Sequence, residues 1–249
     1  MNNRWSRRDV LAGALGLFAL GRTDAFAGAA WDLTLGRLNL TTPETELPPL
    51  ANLAQAVAHH TSIRVNQMVE SVHPADVGLF QFPFLVLSGT QAFPSISPAG
   101  RDALRAWLGS GGTLLIDDRT GSEDNPFWES VERELAAIFP GREPTPLPAD
   151  HAVARSFFLS DTGHGRRPIR PYLLGIDLGD TTPVLVSRND LLGALDGDIS
   201  FNSLVGWRGD AVGLAINIVV YAVTSNYKKD AVHVKTLLER LQGERGRWR

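Results

Sequence analysis

Two stretches without polar alternation, Phe82 to Leu87 and Thr113 to Ile116, restrict this chain more than any other feature. A strand with one face in water alternates apolar and polar residues, whereas a strand covered on both faces reads as a continuous apolar run. Between the two runs the sequence spells a helix. Ser97 stands as its cap, Pro98 takes the first helical position, Leu104 and Trp107 follow at helical spacing, and Gly109-Ser110-Gly111-Gly112 ends it. A strand, a crossover helix and a second strand buried on both faces predict a parallel sheet with helices above and below.

The flanking segments extend that pattern. Trp31 to Leu40 alternates and predicts a first strand, and Thr42 to Pro49 is a proline-rich loop. Leu50, Leu53, Ala54, Val57 and Ala58 mark an amphipathic helix ending at His59-His60, where imidazolium would complement the helix dipole. Ile63 to Val69 reads as a short strand. Asn125-Pro126 opens another helix, carried by Phe127, Val131, Leu135 and Ile138 and broken at Phe139-Pro140-Gly141. The stretch from Arg142 to Arg170 reads as irregular. Tyr172 to Leu178 and Val184 to Ser187 form a strand pair around Gly179-Asp180, Ala211 to Thr224 is an apolar helix, and Lys228 to Leu241 a polar one. The expected fold class is therefore α/β, a doubly wound, mostly parallel sheet.

The first 27 residues predict export. Ser6-Arg7-Arg8-Asp9-Val10-Leu11 has the twin-arginine frame, Val10 to Leu20 is a mildly apolar run, and Ala25-Phe26-Ala27 supplies a small-x-small cleavage pattern. Eleven residues are too few to span about 30 Å of hydrocarbon. The expected organisation is a signal peptide over 1–27, an α/β domain over 28–225, and a C-terminal polar helix and tail over 226–249. The expected location is the periplasm or the exterior, with no transmembrane anchor after cleavage.

Charge and composition narrow the function. The leader holds four Arg and two Asp, so the 24 basic and 27 acidic residues of the whole chain become 20 and 25 beyond it, a net charge of −5. Such a surface disfavours nucleic acid and anionic lipid. The absence of cysteine excludes disulfides, thiolate metal sites and a cysteine nucleophile. No phosphate-cradling glycine motif is present, so the residues define neither a cofactor nor a metal.

Several runs carry a family resemblance. They are Phe82 to Gly89, Gly111 to Asp118, Phe139-Pro140, Asp150-His151, Ser156-Phe157-Phe158, Tyr172 to Ile176, Ser187-Arg188-Asn189-Asp190 and Asn217 to Ala222. Over roughly residues 31 to 225 the chain resembles the bacterial family called domain of unknown function 4159. The resemblance implies a flavodoxin-like sheet of the class I glutamine amidotransferase-like superfamily, with no established activity. Members of that family often follow the paired aspartates with cysteine, where this chain has Arg119. Many also place histidine after the glycine of the earlier strand, where Thr90 and Gln91 stand here. In true amidotransferases the elbow after the buried strand holds the nucleophile, so Arg119 in that neighbourhood removes the chemistry.

In sheets of this kind ligands sit at the carboxyl ends of the strands, which points to Ser88-Gly89-Thr90 and Asp117-Asp118-Arg119. Two adjacent carboxylates there either bind a cation or are satisfied by donors, Arg119 among them. Asp150-His151, with Asp161 and His164, either approaches the same crevice as a metal site or is a satisfied polar pair. Ser88 lacks the Gly-x-Ser-x-Gly frame of a hydrolase elbow. Gly163-His164-Gly165-Arg166-Arg167 reads as a basic loop, solvated or in contact with an anion. The sequence thus predicts an exported non-catalytic module binding an unidentified ligand or envelope protein through Ser88, Gly89, Thr90, Asp117, Asp118, Arg119 and His151. The alternative is a metal-assisted hydrolase using Asp117, Asp118 and His151.

Overall fold

The two apolar runs become neighbouring central strands, β3 (Phe84–Gly89) and β4 (Thr113–Asp118), paired in parallel from Phe84 opposite Thr113 to Gly89 opposite Asp118. The computed structural model describes residues 32–40, 48–196, 206 and 208–225. The leader and the polar helix from Lys228 to Leu241 lie outside the described residues.

Around β3 and β4 the sheet has the order β2-β1-β3-β4-β7-β6-β5, where β1 is Gly36–Leu38, β2 Glu70–Val72, β5 Thr145–Pro146, β6 Leu174–Leu178 and β7 Thr181–Ser187. β2, β1, β3, β4 and β7 run parallel, while β6 and β5 add antiparallel edge strands. This is a doubly wound flavodoxin-like α/β fold. The chain passes outward from β1 to β2 and then returns to the other side of β1 to make β3. The topological switch therefore lies between β1 and β3.

Residue parity along the strands sorts the core into two layers. Phe84, Val86, Leu115 and Leu185 pack with helix α1 (Pro48–His60) and with α4, helical over 208–225, against one face. Leu85, Leu87, Leu114, Ile116, Val184 and Val186 pack with α2 (Pro98–Gly109) and α3 (Pro126–Ile138) against the other. Both expected caps form. Ser97 Oγ accepts from Gly100 N at 3.1 Å, and Asn125 Oδ1 accepts from Trp128 N at 2.8 Å. Trp107 donates its indole N–H to the Phe82 carbonyl at 2.8 Å and packs so close to Gly112 that a Cβ there would overlap the ring.

Three expectations change. Ile63 to Val69 contributes only an isolated bridge, Val65 to Leu33, and the edge strand falls further on at Glu70–Val72. Glu70 and Ser71 are exposed there, so the edge strand carries no apolar signature. The alternating stretch from Trp31 to Leu40 narrows to Gly36–Leu38 plus that bridge. The irregular segment from Arg142 to Arg170 contains the two-residue strand β5, whose Pro146 is tolerated because it lies on the edge. The apolar helix reads as expected. Among the described residues no helix is long and apolar enough to cross a membrane.

Candidate functional site

Because β3, β4 and β7 are parallel and in register, their carboxyl ends deliver Ser88, Asp117 and Ser187 side by side on the face of α1 and α4. Gly89 and Asp118 project toward α2 and α3 on the opposite face. Arg119 N donates to the Gly89 carbonyl at 3.1 Å, which ties the two strand tips together. The expectation that the residues after Leu87 and Ile116 share one end of the sheet is met. The paired aspartates, however, point apart, since β4 stays extended through Asp118 and makes no turn between them.

Each aspartate is satisfied by its own set of donors. Asp118 is fully buried and accepts from Arg188 Nε at 2.9 Å, Asn125 Nδ2 at 2.8 Å, Thr120 N at 2.9 Å and Thr120 Oγ1 at 2.6 Å. Arg188 is itself buried, lies 4.1 Å over the Trp128 ring, and donates to the Ser122 and Glu123 carbonyls. Asp117 accepts from the amides of Leu191 and Leu192 at 2.8 and 2.9 Å. Burial pushes its carboxyl up to about 7, with the negative charge of Asp190 adding to the rise while the two amides and Ser187 oppose it.

The segment Ser187-Arg188-Asn189-Asp190 organises everything else at this end. Asn189 Oδ1 accepts from Ile169 N and Arg170 N, both at 2.8 Å, and its amide donates to the Gly163 and Arg170 carbonyls at 3.1 and 2.6 Å. Arg166 N and Arg167 N donate to the Asp190 and Asn189 carbonyls, each at 3.0 Å. Residues 163–170 are therefore strapped across the end of β7, and a Cβ on Gly165 would fall on the Asn189 carbonyl. The basic loop, expected either to be solvated or to contact an anion, is tied into this framework through its backbone and through Arg166 and Arg167, which face the Asp190 carboxylate. Asp190 is fully buried with φ of 55°, a left-handed conformation that non-glycine residues rarely hold. It receives Arg119 Nε at 3.1 Å, Arg166 Nε at 2.7 Å and Arg167 Nε at 3.8 Å.

His151 lies elsewhere. It caps a 3-10 turn at Ala152–Arg155 by accepting from Val153 N at 3.2 Å through Nδ1, and its Nε2 lies 3.1 Å from Thr182 Oγ1. Thr182 in turn donates to Asp177 Oδ1 at 2.6 Å. Thr182 is the second residue of β7, and Asp117 pairs with Ser187 at the far end, so about 16 Å of strand separates the two sites. Asp117, Asp118 and His151 do not converge, which removes the geometry that the metal-assisted alternative requires. Among the described residues no three His, Cys, Asp or Glu side chains gather as a metal site. His151 sits half-buried, and burial lowers its pKa despite Asp177 and Asp150. Burial, and then the neighbouring His59, likewise lower the His60 pKa at the end of α1.

Ser88 Oγ is buried and has no hydrogen-bond partner, and Asp117, its register neighbour, gives it none. Thr90 is exposed beside it. The residues that the sequence reading did not single out as site residues are Arg188, Asn189, Asp190 and Asp196. The only available signal was the dense polar run after an apolar strand, Ser187 to Asp190, followed by no loop-forming glycine until Gly193.

Comparison with known families places residues 42–223 on the model of a domain of unknown function, number 4159. No curated protein matches the sequence.

Proposed function

The chain belongs to the domain of unknown function 4159 family, and we propose that it serves as an exported, non-catalytic binding or interaction module on an amidotransferase-like sheet. Its working face is the carboxyl end of β3, β4 and β7, with Ser88, Thr90 and Arg119 toward the ligand or envelope partner and Gly89 packed against Phe127 of α3. The reading is carried by the saturation of the carboxylates. Asp117, Asp118 and Asp190 each have both oxygens engaged by donors of the protein, so their role is to hold the strand ends and the 163–170 strap rigid. Rigid, preorganised surfaces lose less entropy on binding than mobile ones. The unpaired Ser88 Oγ at the switch between β1 and β3 then offers a hydrogen-bonding group in the position where doubly wound sheets take their ligands. The twin-arginine frame at Ser6 to Leu11 and the small residues Ala25 and Ala27 support export, and the periplasm follows as the location.

Site-specific photo-cross-linking in cells tests both halves. With p-benzoylphenylalanine in place of Thr90, a discrete adduct is expected in the periplasmic fraction. The same residue in place of Asp180, at the opposite end of β7, should give none. Equal labelling from both positions, or none from either, would overturn the proposed face. Recovery of the full-length chain from the cytoplasm alone would overturn export.

A further inference from the structure

Arg119 and Arg166 are each gripped from behind by one buried carboxylate. Asp190 Oδ1 takes Arg119 Nε at 3.1 Å and Asp190 Oδ2 takes Arg166 Nε at 2.7 Å. Their backbones are fixed as well, Arg119 N on the Gly89 carbonyl and Arg166 N on the Asp190 carbonyl. Both guanidinium groups thus present their outer Nη atoms in a set direction. Those atoms meet on a single oxygen, Asp196 Oδ2, at 3.1 and 3.3 Å. Asp190 is wholly buried, whereas the Asp196 side chain is 42% exposed.

A guanidinium is a planar fork that suits two-point recognition of carboxylate or phosphate oxygens. Here the inner prong is spent on the scaffold and the outer prong is offered at the surface, twice, to the same point. Charge at this point is in excess on the positive side. Arg167 donates to the Arg119 and Thr120 carbonyls, and Arg208 donates to the Ala194 and Asp196 carbonyls, so four arginines surround the two carboxylates Asp190 and Asp196. A single arginine would neutralise buried Asp190. The second guanidinium and the convergence of both on an exposed oxygen go beyond that need, in a chain whose net charge is −3.

The geometry points to a preorganised oxyanion site formed by Arg119 and Arg166, in which Asp196 is an internal occupant that a carboxylate or phosphate group of the ligand displaces. This rests on the reading of the carboxyl strand ends as a recognition face and specifies the ligand as an anion. Asp196 contributes one oxygen to the clamp, so a ligand with two or three adjacent oxygens gains contacts that Asp196 does not make. Occupation by Asp196 also lowers apparent affinity by the fraction of time the clamp is closed, and removing that competitor restores it.

Calorimetric titration of the full chain with inorganic phosphate, and separately with acetate, at ionic strength held constant with sodium chloride, tests the site. Phosphate is expected to bind Asp196→Asn about tenfold more tightly than the unmodified chain, because the competing carboxylate is gone. Acetate binding instead of phosphate would identify a carboxylate ligand and support the same clamp. Adding Arg166→Lys to Asp196→Asn keeps a cation on Asp190 but removes the fork, and the gain should disappear; circular dichroism checks that this variant is folded. The proposal fails if Asp196→Asn binds neither anion more tightly than the unmodified chain, or if the Lys variant, folded, retains the gain. That failure would leave the cross-link from position 90 unaffected, whereas loss of the cross-link with phosphate binding intact would remove the interaction face and keep the clamp.

Discussion

Replacing Arg188 with Met tests whether the strand-end framework is held by buried ion pairing. Arg188 and Asp118 are 3% and 0% exposed and meet at 2.9 Å. Removing one member of a buried pair leaves the other charge without its partner and costs about 3–5 kcal/mol. The lost stacking on Trp128, at 4.1 Å, contributes in the same direction, while Asn125 and Thr120 continue to donate to Asp118 and temper the loss. A destabilisation of about 4 kcal/mol is therefore expected, a large share of the roughly 5–15 kcal/mol typical of a domain. Urea denaturation followed by tryptophan fluorescence and circular dichroism gives the value. Asp118→Asn combined with Arg188→Met removes the stranded charge, and the loss in the double variant should fall short of the sum of the two single losses by at least about 1.5 kcal/mol. A cost below about 1 kcal/mol for Arg188→Met, with additive behaviour in the double variant, would show that the Arg188 to Asp118 contact is not what holds the end of β4 to β7.

Three further outcomes follow from the same geometry. Asp117, raised by burial from an ordinary carboxylate to about 7, binds its proton more tightly folded than unfolded, so its contribution is fully present below about pH 4 and is lost as pH rises through 7. Over that window the linkage amounts to about 4 kcal/mol, and Asp117→Asn should flatten this part of the stability profile measured by thermal unfolding. Asn125→Ala removes both the cap of α3 and a donor to Asp118, so it should cost about 2 kcal/mol by urea denaturation against about 1 kcal/mol for Ser97→Ala, which removes a cap alone. Gly165→Ala forces its Cβ onto the Asn189 carbonyl, and limited trypsin digestion should cut after Arg166, the bond after Arg167 being protected by Pro168, faster than in the unmodified chain while the core stays intact.

The layered fold was legible because its signals are local and periodic. Phe84 to Leu87 and Leu114 to Ile116 announce burial on both faces by lacking alternation, and Ser97-Pro98 and Asn125-Pro126 announce helix starts through the chemistry of the first turn. Strand β2 was misplaced because an edge strand with Glu70 and Ser71 in water carries no apolar pattern. The pairing of β3 and β4 tips was also readable, since parallel register follows from the buried strands on either side of a crossover helix.

What the residues alone determined was the class of sheet, which strands are central, and which end of it carries Ser88, Asp117 and Asp118. Tertiary structure alone decided that Asp117 and Asp118 part company, that His151 sits at the other end of β7, and that Arg119 and Arg166 close on Asp190 and Asp196. The physical reason is range. Hydrophobic periodicity and capping act within a few residues, whereas Arg188 reaches Asp118 across 70 positions of chain and Arg119 reaches Asp196 across 77, so such contacts exist only once the strands have been brought side by side.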